Sequence, residues 1–201
     1  MRTVWVDSGN DPDYGKLKSH GITLVQFDVR DPRLTVPYLD AVKAKGYEIG
    51  VYAVWNWDET KNLSGPEFAT WTSEQLRRIK PADWATFGNV CLNIERYEPG
   101  YVLGALRQWR QHRSKVVTDY TLEGHKGGIF TVAQWLEIGM RVRYVVPQCY
   151  NGAMTQVWDS YAMTLDLVSH GLPFSKIRPF YDAARLDHWW DGYAFTQGRL
   201  P

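Results

Sequence analysis

The chain has 201 residues, 44% of them apolar and 22% charged, a balance that suits one folded domain with a sizeable core and argues against disorder. Its 23 basic and 22 acidic residues leave a net charge of +1, so there is no basic excess of the kind that attracts nucleic acid or an anionic membrane. No apolar run approaches the roughly 20 residues of a spanning helix, and Met1-Arg2-Thr3-Val4-Trp5 has no secretory apolar segment.

Along the chain, short β-rich runs alternate with stretches of helical period. Strands are predicted over residues 3–7, 23–28, 49–55, 90–95, 115–119, 143–148, 177–181 and 193–196. Helices are predicted over 14–20, 37–45, 66–79, 101–113, 132–138 and 155–169. Gly21, Gly46 and Gly171 each follow a helical run and precede an apolar strand, the position of a helix C-cap. Strand followed by helix in this rhythm requires parallel pairing through right-handed crossovers, and eight such units close into a barrel. The reading is therefore α/β, a single small (β/α)8 TIM barrel over residues 1–201. A doubly wound open sheet is disfavoured, because the first loop, Asp7-Ser8-Gly9-Asn10-Asp11-Pro12, is not a Gly-rich phosphate loop.

Strand parity then selects the inward side chains. In Asn89-Val90-Cys91-Leu92-Asn93-Ile94-Glu95 the aliphatic residues belong against the helices, which points Cys91, Asn93 and Glu95 into the barrel. The same rule turns Gln26, Asp28 and Arg30 inward, and places Asp7 at the end of the first strand. It puts Ala53, Trp55 and Trp57 on one face of the third strand, and Asp119-Tyr120, Gln148 with Tyr150, and Tyr181-Asp182 at later strand ends. Those ends form the face where barrels of this kind carry their chemistry. A carboxylate held among other carboxylates has its ionisation displaced toward that of a general acid, so Glu95, Asp7 and Asp28 are candidate catalytic groups.

Ten Trp, twelve Tyr and seven Phe exceed what the core requires, so some should line a cleft. Trp5, Trp84, Trp109 and Trp135 are assigned to the core, whereas Trp55 and Trp57 flank Asn56 and Asp58 and suit the apolar face of a pyranose. Cys91 and Cys149 lie in apolar runs and read as buried thiols. The five His show no metal-ligand spacing and no GxSxG elbow is present, so neither a metal nor a cofactor is expected.

Taken in order, these residues resemble the barrel glycoside hydrolases of the family 25 lysozyme type, including the glycoside-hydrolase-like domains of phage and actinobacterial proteins. The resemblance rests on Trp5-Val6-Asp7, on Gly50-Val51-Tyr52-Ala53-Val54-Trp55, on Asn93-Ile94-Glu95, on Tyr120-Thr121 and on Gln148-Cys149-Tyr150. That family carries Asp-x-Glu where this chain has Asn93-Ile94-Glu95, and Asn-x-Glu is similar to the site of endo-β-N-acetylglucosaminidases. The resemblance implies hydrolysis of an N-acetylated glycan, with bacterial peptidoglycan as the polymer. It implies Glu95 as acid, Asn93 as the group that orients the acetamide, and Asp7 and Asp28 in support. Tyr52, Trp55, Trp57, Tyr120, Gln148, Tyr150, Tyr181 and Asp182 would then contact the sugar. The alternative is a barrel that has lost catalysis and recognises carbohydrate, as a phage tail or cell-surface component partnered by other virion or cell-surface proteins. The sequence assigns no localisation beyond the cell wall or virion that the resemblance implies.

Overall fold

The computed structural model describes residues 3–79, 89–112, 118–123, 127–148, 160–182 and 193–196. Eight strands make up the sheet: β1 (Thr3–Val6), β2 (Leu24–Asp28), β3 (Glu48–Val54), β4 (Asn89–Asn93), β5 (Thr118–Glu123), β6 (Val145–Gln148), β7 (Phe180–Asp182) and β8 (Tyr193–Thr196). They pair in chain order, each parallel to the next, and β1 pairs with β8 to close the barrel. Among the described residues six α-helices accompany them: α1 (Tyr14–Ser19), α2 (Val36–Ala44), α3 (Gly65–Ile79), α4 (Pro99–His112), α5 (Val132–Arg141) and α6 (Ser160–Ser169). The alternation read from the sequence thus closes as the (β/α)8 barrel expected of it.

Two side-chain layers follow from the period of two along each strand. Val4 and Val6, Val25 and Phe27, Ile49 and Val51, and Val90 and Leu92 belong to one apolar layer with the buried faces of the helices. Inside the barrel, Trp5, Tyr52, Cys91 and Val146 form a second cluster. Trp5 and Tyr52 stack with ring centroids 4.4 Å apart and planes within 6°. Below a sheet of this size the interior must be filled and its polar atoms satisfied. The Trp5 Nε1–H donates to Gln26 Oε1 at 2.6 Å, and Gln26 Nε2 donates in turn to Asn89 Oδ1, so three strands are tied across the interior.

Local signals account for several element ends. Asp13 caps α1 by accepting from the backbone N–H of Gly15 and Lys16, and Thr131 and Gln134 form a capping box at the start of α5. Gly21, Gly46 and Gly171 take φ values of 66°, 90° and 98°, the left-handed conformation that the C-cap reading requires. Helices α3 and α4 approach so closely that a Cβ on Gly65 would lie 2.0 Å from the carbonyl oxygen of Tyr101.

The strand after α4 was expected at residues 115–119; residues 115–117 lie outside the described residues, and the strand continues past the expected end to Glu123. Thr121 pairs with Asn93 and its hydroxyl lies 3.0 Å from the Cys91 thiol, inside the barrel. The expectation followed apolar Val116 and Val117, but a strand whose inner face is polar continues past its apolar run. β7 likewise starts at Phe180, with Ile177 making only an isolated bridge to Val145. Trp5, Trp109 and Trp135 are buried as expected, while Trp84 and Cys149 lie outside the described residues. Cys91 is buried.

Candidate active site at the C-terminal mouth of the barrel

The strand ends at one rim bring two polar groups together. The first is built on β4 and β6. Asn93, the last residue of β4, is 4% exposed, and Gln148, the last of β6, is 3% exposed. The Gln148 Nε2 donates to Asn93 Oδ1 at 3.3 Å and to Glu95 Oε1 at 3.0 Å, and the Asn93 Nδ2 donates to the same Glu95 oxygen at 3.0 Å. Glu95 itself is half-buried, two residues beyond the end of the strand. Two amide N–H groups on Oε1 assign any proton carried by this carboxyl to Oε2, because a protonated oxygen would face two donors.

The second group is built on β1, β2 and β3. Asp28, buried at the end of β2, accepts from the backbone N–H of Arg30 at 2.8 Å and from its Nε and Nη2 at 3.1 and 2.8 Å. The Arg30 guanidinium lies 3.5 Å from the Trp57 ring centroid and 3.5 Å from a Glu59 oxygen. Trp57 in turn approaches Tyr52 at 6.2 Å between centroids. The Tyr52 hydroxyl donates to Asp7 Oδ1 at 3.2 Å. Burial raises the carboxyl pKa of Asp7 above its ordinary value; the Tyr52 hydrogen bond opposes this and the nearby Asp28 charge adds to it. Burial also pushes the Tyr52 phenol well up, so it remains a donor.

The loops that carry these groups are fastened by an ion-pair cluster that the sequence reading did not single out. Asp31, 1% exposed, accepts from Arg33 Nη2 at 2.5 Å, and Arg33 reaches back to Asp11 at 3.0 Å and to the Asn10 carbonyl at 2.9 Å. Burial opposes ionisation of Asp31, yet the Arg33 hydrogen bonds hold its pKa below the ordinary value. An Asp-x-Arg spacing occurs twice, at Asp28–Arg30 and Asp31–Arg33, and is the signal that would have revealed it.

The aromatic positions fall differently from the parity reading. β3 ends at Val54, so alternation no longer governs the residues after it; Tyr52 points inward, while Ala53 belongs to the outer layer. Trp57 returns to the mouth through its loop, bridging Tyr52 and Trp71. Trp55 packs against the outer layer, with Arg96 5.4 Å from its ring and its indole N–H buried without a hydrogen-bond partner among the described residues. Tyr120 is buried among the apolar residues between sheet and helices, and burial, the proximity of Tyr97 and the charge of Glu95 all raise its phenol pKa. Tyr150 lies outside the described residues, as do the side chains of Tyr181 and Asp182, whose backbones belong to β7. Among the described residues, no three His, Cys, Asp or Glu side chains converge to hold a metal ion, and no helix is long and apolar enough to cross a membrane.

No family model and no curated protein sequence matches the chain. Solved structures do. Active domain 2 of a thermostable chitinase from Pyrococcus furiosus, determined as catalytic-site mutants with chito-oligosaccharides, aligns with a TM-score of 0.61. That alignment covers 96% of this chain and 82% of the chitinase chain at 13% identity. A psychrophilic family 10 endo-β-1,4-xylanase aligns at 0.51, covering 90% and 72% at 11% identity. PhdJ bound to a substrate intermediate aligns at 0.53, covering 96% and 65% at 8% identity. The likeness is one of fold. Glycosidases with TIM barrels are among the structural neighbours, and at these identities the chemistry must be argued from the site.

Proposed function

We propose that the chain is a glycoside hydrolase acting on an N-acetylated glycan, with bacterial peptidoglycan as the polymer. The observation that carries the reading is the Asn93–Gln148–Glu95 group, a carboxyl with two amide donors on one oxygen at the rim where barrel enzymes act.

In this reading the acetamide carbonyl oxygen of the substrate attacks C1 of its own sugar as the bond from C1 to the leaving oxygen breaks. Glu95 gives its Oε2 proton to that oxygen. The Asn93 Oδ1, which accepts from Gln148 at 3.3 Å, has a second lone pair for the acetamide N–H. Water then adds to C1, its proton returns to Glu95, and the acetamide is restored. Asp7, which accepts from the Tyr52 hydroxyl, and Asp28, paired with Arg30, face the developing positive charge from the other side of the mouth. Half-buried Trp57, with the Arg30 guanidinium stacked on it, is the aromatic wall for a pyranose face, and Tyr52 is buried beneath it as the donor to Asp7. Gln148 lines the same mouth, and Tyr150, Tyr181 and Asp182 complete the proposed sugar contacts; Trp55 and Tyr120, packed in the layer between sheet and helices, are not among them.

A second reading rests on one observation: Asn93 stands where the family 25 resemblance has an acid. A barrel with that substitution can bind carbohydrate without cleaving it, as a virion or cell-surface component. One assay separates the two. Release of reducing ends from purified peptidoglycan is compared for the wild-type chain and Glu95→Gln, with folding checked by thermal unfolding. Turnover by wild type and a loss of at least about 100-fold in Glu95→Gln is expected, since general acid catalysis contributes about 10²–10⁴. Absence of turnover in both, with glycan binding retained, establishes the second reading, and equal turnover in both overturns Glu95 as the acid.

A further inference from the structure

We propose that a groove between α3 and α4 is a second sugar subsite, taking a pyranose of the same glycan chain beyond the unit at the mouth; this rests on the reading of the mouth as a glycan site. The groove has a volume of about 440 Å³, and ligand pockets span about 300–1,000 Å³. Glu67, Thr70, Trp71 and Glu74, at i, i+3, i+4 and i+7, share one face of α3 and line it, with Gln108 of α4 across from them. Packing fixes its shape. The two helices close on each other at Gly65 and Gly104, where an added Cβ would lie 2.0 Å from the Tyr101 carbonyl oxygen and 3.2 Å from Pro66 Cδ.

An edge-to-face contact joins this groove to the mouth. Half-buried Trp71 meets Trp57 at 6.1 Å between centroids with planes 64° apart, and Trp57 meets Tyr52. The loop that carries Trp57 is wound on itself. The Thr60 and Lys61 N–H groups donate to the Trp57 carbonyl oxygen at 2.9 and 2.8 Å, and the Leu63 N–H donates to the Thr60 carbonyl oxygen at 3.0 Å. Thr60 Oγ1 donates to the Val54 carbonyl oxygen at 2.8 Å, which ties the loop to the end of β3, and Leu63 at its far end lines the groove. Both rings are thus in place before a ligand arrives, and little ordering remains to be done on binding. Rings inclined at 64° do not share one pyranose face, so a chain stacked on Trp57 sets a later unit on Trp71.

The lining selects the occupant. Glu67 and Glu74 are joined by no Lys or Arg side chain among the described residues, so a phosphate-bearing or uronic chain is repelled. A neutral sugar instead offers hydroxyl donors to a carboxylate and a C–H face to the indole. Glu67 Oε2 is already engaged by the Ser64 N–H and hydroxyl at 2.7 and 2.6 Å. The exposed Glu74 carboxylate has no partner among the described residues and is the acceptor for those hydroxyls. Leu63 and Pro66 supply apolar surface for an acetamide methyl. A basic peptide would also suit two acids, but the ring contact with Trp57 makes the groove continuous with the mouth and favours the glycan.

The test is calorimetric titration of the Glu95→Gln chain, chosen so that the ligands are not consumed, with chito-oligosaccharides of two and six units. The dimer fills the mouth and the hexamer reaches the groove, so the hexamer should bind at least about 10-fold more tightly. Adding Trp71→Ala should remove that gain and leave the dimer unchanged, and Trp71→Phe should restore most of it. Glu74→Ala, at an exposed helix position where alanine is well tolerated, should weaken the hexamer alone by about 3-fold. Asp40→Ala, which removes an exposed acid from α2, is the control and should change neither. Equal affinity for dimer and hexamer, or a hexamer gain that survives both Trp71→Ala and Glu74→Ala, overturns the subsite and leaves the reading of the mouth standing. Failure of both oligomers to bind overturns that reading and the subsite with it.

Discussion

Replacing Gln148 with Leu removes two hydrogen bonds while nearly conserving volume, so its effect reports the amide network rather than a cavity. Gln148 is 3% exposed, and its Nε2 is within 3.0 Å of Glu95 Oε1 and 3.3 Å of Asn93 Oδ1. A hydrogen bond to a charged group contributes about 1.5–3 kcal/mol, and a buried acceptor left without its donor costs about 1–3 kcal/mol. Asn93 cannot recover its donor from bulk water at 4% exposure, whereas half-buried Glu95 recovers part of its own. The expected net loss is therefore about 2–3 kcal/mol, or about 5–10 °C in thermal midpoint for a chain of this size. Calorimetry and urea unfolding at pH 7 measure it. A cycle with Glu95→Gln should show a coupling of about 1 kcal/mol, because the two changes remove parts of one network. A loss below about 0.5 kcal/mol in Gln148→Leu, or strict additivity in the cycle, would refute the view that this amide holds the carboxyl in place.

Asp7 gives a prediction in pH. Its folded-state pKa is raised, so the native state holds a proton that the unfolded chain releases; this contribution is complete below the ordinary value of 3.8 and is lost as pH rises through the native value. Asp7→Asn keeps an acceptor for the Tyr52 hydroxyl and removes the buried charge. It should raise the thermal midpoint by a few degrees at pH 7 and leave it unchanged at a pH below 3.8, and an equal shift at both would count against the assignment. Gly65→Ala should destabilise by about 3 kcal/mol in urea unfolding, since the new methyl meets the Tyr101 carbonyl at 2.0 Å and the Ala105 nitrogen at 2.9 Å, both backbone. A neutral result would mean that α3 and α4 can separate without loss.

Parity was informative wherever one face of a strand was aliphatic. Val25 and Phe27 opposite Gln26 and Asp28, and Val90 and Leu92 opposite Asn93, left one arrangement that buries the aliphatic groups against helices, and the barrel adopts it. Parity failed at Trp55 and Trp57 because the strand stops at Val54 and a loop, not the pleat, aims those rings. The end of β5 was missed for a different reason: Thr121 and Glu123 continue a strand that composition would end. The interior ties from Trp5 to Gln26 to Asn89 were beyond reach for another reason. They depend on the lateral register of β1 against β2 and of β3 against β4, which no local period contains. The Asp31–Arg33 cluster shares that origin, since Asp11 lies on a different loop.

Barrel closure through β1 and β8 has a kinetic consequence. Thr3 pairs with Tyr193 and Val6 with Thr196, so the bonds that finish the sheet join opposite ends of the chain. Contacts of such high sequence separation form only after a large loop has been closed, and topologies rich in them fold slowly. Until that last pairing, β1 and β8 both present open hydrogen-bonding edges, the state in which chains most readily associate wrongly. The seam between first and last strands is therefore where refolding yield, more than final stability, should be decided.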